Sequence, residues 1–261
     1  MEKIKQALDK ARQEREKNSA QQSAPVAGMA GSASAIQYTK TQSVNSSPVL
    51  MRENRLISSM EPGEYTDALK ILSTQVLQRM EENHWGSIAI TSPRLAAGKT
   101  TIAINLGLSI AKEVDYTVLL VDANLRHPNI HQYFGIEPEY GLSDYLTKNI
   151  ELSDILINPR GIDRFVLLPA GKPHSLSTEL LGSPRMCDLV QELTSKYPKR
   201  IIIFDLPSIL ITADALAFVP CVDCSLVVVE DDVTKESDLK AAIDMLSVTN
   251  VIGTVLNKSM Y

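Results

Sequence analysis

Residues Ser92–Thr101 read SPRLAAGKTT and stand between an apolar run, Ser87–Thr91 (SIAIT), and a segment with helical spacing. A Gly-Lys-Thr-Thr stretch at a strand-to-helix turn is suited to holding a phosphate. Gly98 lets the backbone come close, the first N–H groups of the helix point at the anion, and the helix dipole adds positive potential. Lys99 would reach the outer phosphates, and Thr100 would place its hydroxyl on Mg²⁺. Ala97, Gly98, Lys99, Thr100 and Thr101 are therefore the candidate cradle, and the expected ligand is ATP or a close relative with Mg²⁺. The longer pattern G-x-x-x-x-G-K-[ST] is incomplete, because Pro93 stands at the first glycine.

Two acids extend the constellation. Asp122 ends the apolar run TVLLVD, and Asp205 ends RIIIFD. Either acid alone would serve equally well as the cap of the turn that follows. Together with the Lys99 loop, at the carboxyl ends of three buried strands, they form the arrangement that Mg²⁺–nucleotide chemistry needs. Thr100, Asp122 and Asp205 are the candidate metal-proximal residues.

The elements that must position these residues alternate along the chain. Strands are expected at 87–91, 117–122, 165–169, 200–205, 225–229 and 251–256. Helices are expected at 99–113, 142–148, 183–196, 213–219 and 235–248, with 123–135 irregular. Strands written as unbroken apolar runs are buried on both faces. The predicted fold class is α/β: a doubly wound, mostly parallel sheet with helices on both faces, preceded by a flexible N-terminal segment. Upstream, Glu64–Met80 carries Ala68, Leu69, Leu72, Val76 and Leu77 on one helical face, opened by Pro62–Gly63.

The first residues are organised differently. Residues 1–17 read as a short amphipathic helix, a solvated one in preference to a docking element, since its apolar stripe is thin and its net charge only +2. Residues 18–55 read as a disordered linker, because 18–50 contain seven serines, six alanines and a single charge, Lys40. Order resumes near Leu56, giving a nucleotide-binding domain over 56–258 and a tail over 259–261.

Composition narrows the remaining classes. The chain has 261 residues and a net charge of −5, which argues against a nucleic-acid partner. No apolar run is long enough to span a bilayer, and the charged N-terminus does not read as a secretory signal, so a cytoplasmic protein is expected. Cys221 and Cys224 form a lone C-x-x-C next to an apolar strand and read as small buried side chains, not as a metal site. His127 and His131 are four apart with Pro128 between them, and no metal role is expected of them.

The loop TSPRLAAGKTT, the stretch LLVDANLRHP and the stretch IIIFDLPS resemble the cytosolic domain of bacterial tyrosine autokinases. That family lies within the wider MinD/ParA group of P-loop ATPases. The resemblance covers most of 56–258, including GLSDYL (141–146), LLPAGKPHSLSTELLGSP (167–184) and VIGTVLNK (251–258). It implies a tyrosine kinase or ATPase that uses ATP and Mg²⁺ and regulates exopolysaccharide or capsule production. It also implies a membrane polysaccharide co-polymerase as partner, a homo-oligomer, and a place at the inner face of the plasma membrane through that partner. Lys99 and Thr100 would hold phosphates and metal, Asp122 would orient or deprotonate the incoming hydroxyl, Asp205 would serve the metal through water, and Asn257 would contact adenine.

The chain departs from that pattern in several places. Leu95-Ala96 replace the Pro-Gly usual before the last loop glycine, so a positive φ at Ala96 would carry a steric cost. Asn124 replaces the second acid after the strand. Glu64, Asp67 and Lys70 replace a Glu-Arg-Arg series on the oligomerisation helix. The C-terminal tyrosine cluster is reduced to Tyr261, with Tyr38 the other acceptor candidate. Arg94 stands where MinD-type ATPases carry a lysine donated to the partner's phosphates, and is read either as such a trans-acting residue or as a solvated side chain. A MinD/ParA-like dimerisation switch and a nucleotide-binding scaffold without turnover are the alternatives.

Overall fold

The computed structural model describes residues 41–57, 62–148, 150–196 and 199–259. The expected helix at 1–17, most of the linker, and both acceptor candidates, Tyr38 and Tyr261, lie outside the described residues.

Eight strands form one sheet: β1 (Gln42–Val44), β2 (Ser87–Thr91), β3 (Thr117–Asp122), β4 (Ile157–Pro159), β5 (Phe165–Leu168), β6 (Arg200–Asp205), β7 (Cys224–Glu230) and β8 (Asn250–Asn257). Their order is β1-β4-β5-β3-β6-β2-β7-β8, and every pairing is parallel except β4–β5. Ten helices accompany them among the described residues: α1 (Pro48–Glu53), α2 (Glu64–Glu82), α3 (Lys99–Ile110), α4 (Ile130–Phe134), α5 (Leu142–Thr147), α6 (Leu152–Ile155), α7 (Ser177–Leu181), α8 (Pro184–Lys196), α9 (Asp214–Phe218) and α10 (Glu236–Met245). None is long and apolar enough to cross a membrane.

Successive residues of the central strands enter two separate cores, which is why these strands are apolar throughout. Ile88, Ile90, Val118, Leu120, Ile201 and Ile203 pack with α2 and α3 on one face. Ala89, Leu119, Val121, Ile202 and Phe204 pack with α8 and α9 on the other. The doubly wound arrangement follows directly, since each face of the pleat needs its own cover.

Three expectations are corrected. The linker ends earlier than residue 55: 42–44 pair with β4, Ser47 caps α1 with Pro48 at its first turn, and Met51, Leu56 and Ile57 are buried. The Ser-Pro start was a readable helix signal, and the buried Asn105 of α3 accepts from Ile57 N at 2.9 Å and donates to Arg55 O. On α2, Ala68 is exposed, while Thr66 and Ser73 are buried and Ser73 Oγ meets Ser109 Oγ at 2.8 Å. Of the cysteines, only Cys224 is a free buried thiol. Cys221 is joined to Cys187, because α8 and the turn after α9 pack side by side with the two Cα atoms 5.1 Å apart.

Candidate functional site

The loop between β2 and α3 turns on two residues in the left-handed region. Gly98 has φ +85° and Ala96 φ +65°. Glycine takes that conformation freely, whereas Ala96 carries the steric cost of its Cβ. The loop is tied to its surroundings by polar bonds: Thr91 Oγ1 donates to Pro207 O at 2.8 Å, and Ser92 Oγ lies 3.0 Å from Ser208 Oγ. Asn257 closes the loop from β8, its Nδ2 donating to Ala97 O at 2.8 Å. A Cβ on Gly98 would overlap that amide nitrogen. Asn257 thus rests on the loop itself.

Beneath the loop, Thr100 donates its hydroxyl to Asp205 Oδ2 at 2.7 Å. The other oxygen, Asp205 Oδ1, is buried without a hydrogen-bond partner among the described residues. Asp122 is also fully buried. Its Oδ1 accepts from Asn124 N, and its Oδ2 accepts from Asn129 N and Ile130 N, both at 3.1 Å. Asp122 and Asp205 are register neighbours on β3 and β6. Burial, and then the neighbouring Asp205 carboxylate, push the Asp122 pKa up to about 7, against the pull of the three backbone N–H groups. Burial likewise raises Asp205, while Lys99 and the Thr100 hydroxyl pull it down.

Lys99 and Thr100 border a cavity of about 530 Å³ at the carboxyl ends of the strands, walled also by Gly98, Asn124, Arg126 and Thr212 among others, with the buried Asp122 and Asp205 behind its lining. Its size suits a nucleotide-sized ligand. Asn124 Oδ1, Asn129 Oδ1 and Thr212 Oγ1 are also buried without a hydrogen-bond partner among the described residues. Such concentrations of unsatisfied buried polar atoms are what a polar ligand or ion completes. Another cavity, about 600 Å³, opens at the opposite strand ends beside Trp85 and Tyr116. It contains none of the loop residues and lies on the side of an open α/β sheet where ligands do not gather.

The structure therefore brings Ala97, Gly98, Lys99, Thr100, Asp122, Asp205 and Asn257 to one end of the sheet. Thr101 also faces the cavity, 3.4 Å from the Tyr133 hydroxyl. Arg94 points elsewhere within its own chain: its side chain is 61% exposed and pairs with Asp238 of α10. Sequence reading passed over Arg126 and Thr212 and weighed His127 only as a metal ligand; all three line the cavity. The Arg-His pair directly after the β3 loop was the available signal.

No protein-family model matches the chain. Among curated proteins it is similar to YwqD, a tyrosine-protein kinase of Bacillus subtilis, with 28% identity over 210 residues, 78% of this chain and 86% of YwqD. CapB of Staphylococcus aureus is 28% identical over 179 residues, 68% of this chain and 77% of CapB. Etk, a tyrosine-protein kinase of Escherichia coli, is 29% identical over 212 residues, and the chain spans 28% of Etk's length. Among solved structures, the kinase domain of E. coli Etk superposes with a TM-score of 0.70 at 25% identity, covering 84% of this chain and 91% of that domain. MinD from Pyrococcus horikoshii, complexed with Mg-ADP, shares the fold with a TM-score of 0.55 over 67% of this chain and 72% of MinD, at 21% identity.

Proposed function

We propose that this chain, which belongs to the bacterial tyrosine kinases of the MinD/ParA-like P-loop class, binds Mg-ATP at the β2–α3 loop and transfers the γ-phosphate to a tyrosine. The observation that carries the reading is Asp205: a buried carboxylate with one oxygen on the Thr100 hydroxyl and the other without a partner. An oxygen-lined position of this kind suits Mg²⁺, held by Thr100 and, through water, by Asp205. When bound, the metal supplies neutralisation of charge on the phosphate oxygens.

The chain's own residues do the rest. The N–H groups at the start of α3 and the Lys99 ammonium hold the phosphates. Asp122 stands at the acceptor side, and a carboxylate poised near neutrality is matched to taking the proton of a tyrosine hydroxyl. As that proton passes to Asp122, the tyrosine oxygen bonds to the γ-phosphorus, the bond to the bridging oxygen breaks, and ADP leaves with its electron pair. Asn257, packed on Ala97 and Gly98, is assigned the adenine contact on the β8 side of the loop.

The acceptors are Tyr261 or Tyr38 of a neighbouring copy in a homo-oligomer. The kinase serves exopolysaccharide production, with a membrane polysaccharide co-polymerase as partner that brings it to the inner face of the plasma membrane. One relative in this range is named as a kinase in a cps region. A second reading, a nucleotide-dependent dimerisation switch, is favoured by one observation: Asn124 replaces an acid beside the cavity and brings no charge.

The test incubates pure protein with γ-labelled ATP and Mg²⁺ and follows both free phosphate and label on protein. Label mapped to Tyr261 or Tyr38, and absent in Lys99→Ala, is the expected result. Phosphate release without protein label sinks the kinase reading in favour of the switch. Turnover no faster than in Lys99→Ala overturns both.

A further inference from the structure

Behind the wall of the cavity that Lys99 and Arg126 both line, four polar side chains converge on one point. Asp214, the first residue of α9, is 0% exposed, yet its carboxylate faces the Arg126 guanidinium. Arg126 Nε donates to Asp214 Oδ2 at 3.0 Å, and Nη2 donates to Oδ1 at 3.2 Å and to Thr178 Oγ1 at 3.2 Å. Ser177 donates to Oδ2 at 2.7 Å, and Thr178 donates to Oδ1. These bonds hold Asp214 below the usual carboxylate range, against its burial. The planar guanidinium is thus fixed by one edge, Nε–Nη2. Its remaining nitrogen, Nη1, makes no hydrogen bond among the described residues, and the side chain is 36% exposed where it lines the cavity.

The strand order says which end of a nucleotide that nitrogen would meet. Lys99 and Thr100 follow β2, and Asp205 ends β6, the next strand on one side. Arg126 follows β3, the strand beyond β6, whereas Asn257 ends β8 on the opposite side. Thr100 and Asp205 would hold a metal that neutralises the outer phosphates. The terminal phosphate therefore points from β2 towards β6 and β3, away from Asn257.

We infer that Arg126 contacts the terminal phosphate of the bound nucleotide, with Asp214 as the residue that positions it, so that this pair distinguishes ATP from ADP. The inference rests on the reading of the cavity as a nucleotide site. An arginine held rigidly by a buried acid needs no reordering to meet a phosphate, which is where its planar fork exceeds a lysine. The pair also ties the loop after β3 to α9, and so to the loop after β6 that carries Thr212.

The test is the affinity of the intact chain for the β,γ-imido analogue of ATP and for ADP, each with Mg²⁺, by isothermal titration. Arg126→Ala weakens the ATP analogue about ten- to a hundredfold, the scale of one charge-assisted hydrogen bond, and leaves ADP unchanged. Because that variant leaves the Asp214 carboxylate buried without its cation, Arg126→Ala/Asp214→Asn is measured beside it, with the same expectation. On wild-type protein, modification of arginines with phenylglyoxal, mapped by mass spectrometry, is slowed at Arg126 by the ATP analogue and not by ADP. Equal effects on both nucleotides, or equal protection by both, overturn the role of Arg126 while the nucleotide site stands. If wild type binds neither nucleotide, the functional reading fails, and the inference with it.

Discussion

Replacing Gly98 by alanine places a methyl group in a left-handed turn and against the Asn257 amide. The left-handed conformation costs about 1–2 kcal/mol for a residue with a Cβ. The amide is the far end of a flexible side chain, so it swings aside and gives up its bond to Ala97 O, a loss of about 1 kcal/mol. Gly98→Ala then destabilises by roughly 2–3 kcal/mol, and Asn257→Ala by about 1 kcal/mol for the same bond. In the double variant that bond is lost only once, so the total falls about 1 kcal/mol short of the sum of the single changes. The smaller unfolded-state entropy of alanine enters both backgrounds equally and cancels. The assay is urea unfolding followed through the single tryptophan, Trp85, which is partly buried against the core. Additivity within about 0.3 kcal/mol would show that Asn257 does not rest on Gly98 and would refute the loop closure described above.

Two further outcomes follow from the site. Asp122 titrates higher in the folded chain than its ordinary value, so the folded state holds the extra proton between about pH 4 and 7, and stability falls as pH rises through that window. Asp122→Asn removes this dependence, so its nucleotide-free stability relative to wild type should climb by a few kcal/mol, at about 1.4 per pH unit, between pH 4 and 7; parallel curves from thermal unfolding at stepped pH would disprove the raised titration of the buried Asp122 carboxyl. Ala96→Gly relieves the strained φ while adding unfolded-state entropy, for a net change between zero and about 1 kcal/mol of stabilisation; a clear fall in the urea midpoint would mean Ala96 is not strained.

The central sheet was legible because each of its strands is buried on two faces and therefore written as a continuous apolar run. The Lys99 loop and the two strand-ending acids were legible because each sits at a local junction of strand and turn. What could not be read depends on distant residues. Arg126 and Asp214 are 88 residues apart, and nothing near either names the other. The same holds for Asn257 on Ala97, 160 residues away. β1 and β4, of three residues each, are too short for a periodic signal. Residues 42–47, polar except for Val44, read as linker because β1 joins the sheet at its rim through backbone hydrogen bonds and offers only Val44 to the core.

The pairing of β1 with β4 has a consequence for the order in which the protein assembles. Gln42 lies beside Ile157, so β1 has no partner until roughly a hundred further residues have been made. At about 5–20 residues per second of synthesis, that is a wait on the order of ten seconds. The neighbours of β2 come later still, since β6 and β7 both lie beyond residue 199. Residues 47–57, which clasp Asn105 of α3 and run past Phe134 of α4, thus have those partners in hand before β4 is made to receive β1.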